Sequence, residues 1–341
     1  MGMNAVRIGV AGVGRIGAFH AATLSGLGSD GLVEEVWVTD AVPSAAQLLA
    51  EQGGYRVAAD FSELLSRVDG VVITTPTTTH ADLLRQAIAA RVPTFCEKPV
   101  ATTLAETIEL VGVVEAGGVE VQIGFQRRYD QGYRRAREAV ASGELGFLHT
   151  IRANTHDQSP PPAAYIPTSG GLFRDCGIHD FDIIRYVTGR EVASAYGIGA
   201  NKGDDFFTAG GDVDTCAALL RLDDDTLATV TATRYNGGGH DVRLEVMGSR
   251  GTIGVGYDES LALRSAETGA DYPKGPQKWS FMERFQPAYQ RELATFTEVV
   301  AGKRTSPCTV RDALQAFRVA EACDASLHSG RPIDLTTIPT A

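Results

Sequence analysis

Apolar residues in the first third of the chain fall in short unbroken runs, each followed by a glycine-rich or polar break and then by apolar positions three or four apart. Ala5 to Gly12 (AVRIGVAG) is rich in Val and Ile, as a strand buried on both faces requires. The next segment, RIGAFHAATLSGL, sets Ile16, Phe19, Leu24 and Leu27 at mostly helical spacing. A second strand ends in Val36, Trp37 and Val38. DGVVITTPTTTH then reads as a strand running into a polar loop, ADLLRQAIAARV as a helix, PTFCEKP as a strand and turn, TLAETIELVGVVEAG as a helix and VEVQIGF as the sixth strand. Strands alternating with helices predict an α/β domain over residues 1–125, a Rossmann fold with a doubly wound parallel sheet.

After Gln126 the rhythm changes. YRRAREAVASGEL predicts a helix, and FLHTIRANTHD, EVASAYGIGAN, DVDTCAALLRL, TLATVTATRY, DVRLEVMGS and GTIGVG predict strands separated by Gly- and Asp-rich turns. Two later stretches, RFQPAYQRELATFTEVVAG and VRDALQAFRVAEACDASLH, carry Leu, Phe, Val and Ala on one helical face. The pattern predicts a second, α+β domain over 126–341 built on an open, mostly antiparallel sheet. No internal repeat interrupts it, and SPPPAAYIP is the one proline-dense loop.

A chain of 341 residues suits two such cores. The formal net charge of −11 favours solubility and works against a polyanion such as nucleic acid as partner. The N-terminus lacks a signal-peptide pattern and no stretch is long and apolar enough to span a bilayer, so a cytoplasmic location and no membrane partner are expected. Cys96, Cys176, Cys216, Cys308 and Cys323 form no CxxC pair, which fits reduced thiols better than a disulfide frame or a metal site.

Candidate chemistry begins at GVAGVGRIG. Between a strand and a helix, Gly12 permits a tight turn, Gly14 lets the backbone approach a pyrophosphate and Gly17 lets the helix pack on the sheet, with Arg15 and Ile16 in the same cofactor-binding turn. Asp40, ending the second strand, suits the two hydroxyls of an adenosine ribose and repels a 2′-phosphate. Neither Ala41 nor Val42 offers a compensating cation, so NAD is expected over NADP. Ligands of such sheets bind at the carboxyl ends of the strands, which makes Thr75 and Thr77, Glu97 and Lys98, and Gln126 further cofactor candidates.

In FRDCGIHDFDIIRYVTG, Ile178, Phe181, Ile184 and Val187 recur about every third residue, predicting an amphipathic helix on which Asp175 and His179 share another face. Taken alone, this pair also suits an Asp favoured by the helix dipole and a packed His. The glycine fingerprint together with TTPTTTH, EKP, GFQRRYD and SGGLFRDCGIHDFDIIRY resembles the Gfo/Idh/MocA oxidoreductases, and within them the inositol 2-dehydrogenases, over nearly the whole chain. The resemblance implies that Asp175 and His179 stand beside the nicotinamide with Lys98. It implies NAD-dependent oxidation of a ring secondary hydroxyl of an inositol or related polyol or sugar to a ketone. His179 would be the base, Lys98 would stabilise the developing alkoxide, and Asp175 would orient the hydroxyl and keep His179 basic. His80 would contact cofactor. Arg127, Arg128, His156, Asp157 and Tyr235 would line the polyol site or else form internal ion pairs, while His20, His149 and His328 read as structural or solvated. A homo-oligomer, tetramer or dimer, is expected.

One departure stands out. The inositol dehydrogenases resembled here carry an aromatic-rich stretch where this chain has YNGGGHDVRLEVMGS, and glycine near Gly238 in place of a tyrosine points to a larger pocket, open to another cyclitol, an aldose or a glycosylated sugar. The sequence is also compatible with two other readings: NAD-dependent elimination or glycoside cleavage, and a non-catalytic dinucleotide sensor.

Overall fold

The computed structural model describes residues 5–340. The first four residues, part of the stretch read as lacking a signal peptide, and Ala341 lie outside the described residues. The chain forms two compact units: residues up to Gln126 with Pro287–Leu314, and Arg127–Gln286 with Gln315–Thr340.

In the first unit β1 (Val6–Ala11), α1 (Arg15–Gly26), β2 (Val33–Thr39), α2 (Pro43–Gly53), β3 (Arg56–Val57), α3 (Phe61–Arg67), β4 (Gly70–Ile73), α4 (His80–Ala89), β5 (Thr94–Glu97), α5 (Leu104–Gly117) and β6 (Val121–Gly124) follow one another. The sheet order is β3-β2-β1-β4-β5-β6, and every pairing is parallel. β4 and β6 are buried at every position, because helices cover both faces. Helix ends follow local chemistry: Pro43 opens α2, Asp60 caps α3 by accepting from Glu63 N–H, and Thr103 caps α5 by accepting from Glu106 N–H. β3 escapes the sequence reading because it is two exposed residues with no apolar run.

The second unit contains α6 (Gln131–Ala141), β7 (Leu148–His156), α7 (Ile178–Thr188), β8 (Val192–Ala200), α8 (Phe206–Ala209), β9 (Thr215–Leu222), β10 (Leu227–Thr233), β11 (Asp241–Gly248) and β12 (Gly251–Val255). After α9 (Phe281–Val300) and α10 (Val310–Ser329), the short β13 (Ile333–Asp334) completes a seven-stranded sheet ordered β12-β11-β7-β10-β9-β8-β13. It is antiparallel except for the β7–β10 pair. β9 and β10 alternate buried and less buried positions, the mark of a sheet covered on one face.

The expected second domain, 126–341, is thus not one continuous stretch. Residues 287–314 return to the first unit because Leu293, Phe296 and Val299 of α9 pack into the core formed by Ile8, Val10, Val38, Val72 and Phe95. Each of those three side chains contributes roughly 1.5–3 kcal/mol by burial. Among the described residues no helix is long and apolar enough to cross a membrane, and no disulfide joins the buried cysteines.

Candidate active site

The dinucleotide turn is built as its three glycines require. Gly12 has φ +88°, and a Cβ there would stand 2.8 Å from Thr75 N. At Gly17 a Cβ would come within 1.8 Å of Gly12 O, so only glycine lets α1 start this close to the turn. Around Gly14 nothing lies within 4 Å of where a Cβ would be, leaving open space at the helix start. No side chain caps α1 and no acidic residue occupies its first turn, so its leading N–H groups suit an anion. Asp40 lies alongside, its Oδ2 accepting from Val13 N–H at 2.8 Å and Oδ1 from Val42 N–H at 2.9 Å. These residues fit a dinucleotide: glycine turn for the pyrophosphate, carboxylate for the ribose. The sequence reading missed Thr74, whose buried hydroxyl bonds both Ala11 O (3.0 Å) and Gly12 O (2.7 Å), locking the turn to the end of β4.

Two further strand ends belong to this unit. Thr75 and Thr77 stand in the loop after β4, where Thr79 donates to Thr75 Oγ1 at 2.7 Å. His80, expected to contact cofactor, is instead buried, with Nδ1 2.8 Å from Pro99 O and Nε2 2.8 Å from Thr75 O. Both ring nitrogens face backbone carbonyls, and the single N–H of the neutral ring bonds one of them, which corrects that expectation. Burial lowers the pKa of His80, against the opposing pull of the two carbonyls and of Glu97. At the end of β5, Glu97 is likewise engaged internally: Oε1 lies 2.7 Å from Nε2 of the fully buried His20, and Oε2 accepts from Lys98 N–H at 3.3 Å. Lys98 itself is half-buried in the turn that follows, and Gln126 is buried at the end of the unit.

In the second unit the segment bearing Asp175 and His179 departs from a plain amphipathic helix. Gly170 and Gly171, both at positive φ, bring the chain into a π-helical turn, Phe173–Gly177, before α7 begins. α7 is buried nearly all round rather than on one face, so the three-residue recurrence saw only part of its core. Asp175 falls in the wide turn. Its Oδ2 accepts from Arg234 Nη2 at 2.5 Å, and Arg234 Nη1 reaches Asp157 Oδ2 at 2.9 Å. Arg234 is only 4 % exposed, so one guanidinium ties two carboxylates together. His240 adds a contact to Asp157 at 3.3 Å. Although burial pushes the Asp157 carboxyl up, the His240 bond and the Arg234 charge outweigh it and hold Asp157 below the usual carboxylate range.

Of the two readings left open for Arg127 and Arg128, their contacts fit the internal ion pair. Arg127 donates to Asp180 Oδ1 (2.7 Å) and Thr155 Oγ1 (2.6 Å), and Arg128 holds Asp182 with Nε and Nη2 at 2.8 and 2.5 Å. Both are buried ion pairs that fix α7, with their guanidinium groups committed to protein rather than to a polyol. Tyr235, 37 % exposed, bonds Asp204 Oδ2 at 2.5 Å and stands apart from the Asp157–Arg234–Asp175 array. His156 bonds Thr231 Oγ1 at 3.0 Å. Nor does glycine at 238 enlarge a pocket: a Cβ there would meet Ala262 O at 2.7 Å, and at Gly239 (φ +123°) it would meet Lys278 O at 3.0 Å. The 256–280 segment fills the space, and His240 N–H donates to Lys278 O at 2.8 Å. Among the described residues no group of His, Cys, Asp and Glu is arranged to hold a metal.

Arg234 is not among the sequence candidates, although its neighbour Tyr235 is. The signal available was its place at the end of β10, where one step along the strand changes face.

Residues 6–125 match the oxidoreductase family with an NAD-binding Rossmann fold, and residues 133–254 match the GFO/IDH/MocA C-terminal domain. The chain is 38 % identical over 331 residues to a myo-inositol dehydrogenase of Streptomyces leeuwenhoekii, covering 95 % of this chain and 98 % of the relative. It is 35 % identical over 335 residues to the scyllo-inositol 2-dehydrogenase (NAD(+)) of Bacillus subtilis, covering 97 % and 96 %. A solved myo-inositol dehydrogenase from Corynebacterium glutamicum superposes with a TM-score of 0.88 at 31 % identity, covering 97 % of this chain and 99 % of that one. With the glycine turn and Asp40 in place in the first unit and both family domains matched in order, this chain belongs to the Gfo/Idh/MocA family and is an NAD-dependent oxidoreductase.

Proposed function

We propose that this enzyme oxidises a ring secondary hydroxyl of myo-inositol or a closely related cyclitol to a ketone. The observation that carries the reading is the Asp157–Arg234–Asp175 array, one turn before His179. It offers two carboxylates and a bridging cation to a substrate made of hydroxyls, and the 256–280 segment leaves no added room beside Gly238 for a bulkier sugar. Relatives named as inositol dehydrogenases span almost the whole chain.

The glycine turn and Asp40 hold the cofactor, with Thr75, Thr77 and Gln126 as further contacts. The chemistry that bound NAD supplies is acceptance of a hydride. His179 takes the hydroxyl proton as general base. Lys98 donates to the same oxygen and stabilises its growing negative charge. Asp175, held by Arg234, orients the hydroxyl. We place the enzyme in the cytoplasm, as a dimer or tetramer.

The test is NADH formation across a panel of cyclitols and sugars. Turnover of an inositol with net NADH release is the expected result. No net NADH with any alcohol, alongside tight NAD binding, would favour a sensor; product formation without net NADH would favour elimination. His179→Ala should lower kcat by about 10²–10⁴-fold with NAD affinity little changed. Near-normal turnover in His179→Ala would remove it from the mechanism.

A further inference from the structure

Lys98 has a long flexible stem, and its value as a donor to an alkoxide depends on how firmly its backbone is held. The turn that carries it is gripped from two sides by buried histidines. On one side is His20, from the middle of α1, with no exposure to solvent. Its ring packs edge-on against Phe95 (centroids 5.6 Å apart) and against Tyr289 (5.6 Å), which leaves Nε2 aimed at Glu97 Oε1 at 2.7 Å. Nδ1 is buried with no hydrogen-bond partner among the described residues. The Glu97 carboxylate lies over Gly124 of β6, where a Cβ would come within 3.0 Å of Oε2. That oxygen then accepts from the backbone N–H of Lys98. On the other side is His80, the first residue of α4, with Nδ1 on the carbonyl of Pro99 and Nε2 on that of Thr75. One histidine holds the residue before Lys98 and the other the residue after it.

Such an arrangement is costly as pure architecture. A partly buried carboxylate and two buried imidazoles, one with a nitrogen that has no partner among the described residues, stabilise a fold less than apolar side chains of the same volume would. His20 sits among aromatic rings where Phe or Leu would pack. We propose that His20 and His80 are positioning residues for the dehydrogenase reaction, fixing the Glu97-Lys98-Pro99 backbone so that the Lys98 ammonium is delivered to the substrate oxygen. This rests on the reading of Lys98 as the group that meets that oxygen. Neither histidine touches substrate in this role. His20 acts through the Glu97 carboxylate, and His80 through the Pro99 carbonyl, while also joining that turn to the Thr75 loop.

The test uses the full-length enzyme with NAD and myo-inositol. His20→Leu should lower kcat by about 10–10²-fold, the scale of a misplacement of the order of 1 Å, with NAD affinity changed by less than about threefold. His20→Gln places an amide nitrogen near the position of Nε2 and should recover most of kcat; His80→Asn should do the same for Nδ1 relative to His80→Leu. Hydrogen exchange should quicken in the peptide containing 97–101 in both Leu variants more than in the rest of the sheet. If a Leu variant fails to fold, Glu97→Gln weakens the same grip and serves in its place. The deciding measurement is the double variant: with Lys98→Ala present, His20→Leu should cost kcat almost nothing more. An equal fold-loss in both backgrounds, or equal kcat for His20→Gln and His20→Leu, overturns the positioning role. Lys98→Ala with normal kcat would instead sink the reading of Lys98, a result distinguishable from the first.

Discussion

At the scale of single residues, Asp40 shows one carboxylate serving fold and ligand together. Its two oxygens already accept from Val13 and Val42, which aims the remaining lone pairs and makes the site intolerant of a phosphate's charge. Asp40→Ser with Ala41→Arg should move the ratio of kcat/KM values from NAD towards NADP by at least about tenfold, the size of one charged hydrogen bond of roughly 1.5–3 kcal/mol. A parent enzyme already faster with NADP would sink this account of Asp40. Arg234 and Tyr235 give a second test, since they are adjacent in sequence and opposite in surroundings. Arg234→Lys keeps the charge but loses the fork that spans Asp157 and Asp175, and should raise the KM for inositol about tenfold or more. Tyr235→Phe removes a bond to Asp204 and should leave KM within about twofold; the reverse ranking would restore Tyr235 to the polyol site. His80 sets a pH dependence. Its folded pKa is lowered from 6.5 by burial, so below that value the unfolded chain takes up a proton that the folded chain resists. The stability it contributes is therefore present above about pH 6.5 and lost as pH falls further. In urea titrations between pH 7.5 and 5.5, His80→Asn should show a shallower loss than the parent; parallel curves would show that His80 titrates alike in both states.

Among elements, what the sequence made legible was whatever a local period encodes. The buried runs of β1, β4, β5 and β6, the alternation of β9 and β10, and the glycine turn before α1 are each specified by residues within one element. β3 was not legible, because its two residues are held by the edge of β2 rather than by any apolar pattern. The parallel pairing of β7 with β10, and the return of α9 to the first unit, depend on distant partners that no period reveals. The same limit applies to α7. Its pattern predicts one buried face, yet Asp180, Asp182 and Arg185 are buried too, because arginines from a turn some fifty residues earlier neutralise two of them. Candidate site residues divide in the same way: Gly12, Gly17 and Asp40 could be placed from spacing, whereas the arginine pairs and the His20–Glu97 contact arise only on folding. Arg128→Met should cost about 3–5 kcal/mol in denaturant unfolding, since it strands Asp182 in the interior. Adding Asp182→Leu should recover most of that loss. A single variant within about 0.5 kcal/mol of the parent would mean that the Arg128 pair is not what compensates the burial of Asp182.

For the molecule as a whole, the one-sided burial of the second sheet sets the next expectation. Its uncovered face carries Ile198 on β8, Leu219 on β9 and Leu227 on β10, each more than half exposed. Register places them together: Leu219 lies opposite Tyr196 on one side and Thr229 on the other, while Ile198 lies opposite Ala217. An aliphatic patch on consecutive strands is more than scattered surface hydrophobics, and with a net charge of −11 it does not owe its exposure to a need for solubility. A second copy of the same face, related by a two-fold axis, would cover it and present each leucine to a symmetric partner. One substitution then acts on both sides of the interface. Leu219→Glu places a carboxylate from each copy in such an interface, where desolvation opposes pairing, and a parent paired through this face should fall to smaller species in light scattering at micromolar concentration. Because Leu219 is 58 % exposed in the single chain, the same change should leave the unfolding midpoint of the isolated subunit almost unmoved. A parent that is already monomeric at micromolar concentration would show that this face is solvated rather than paired.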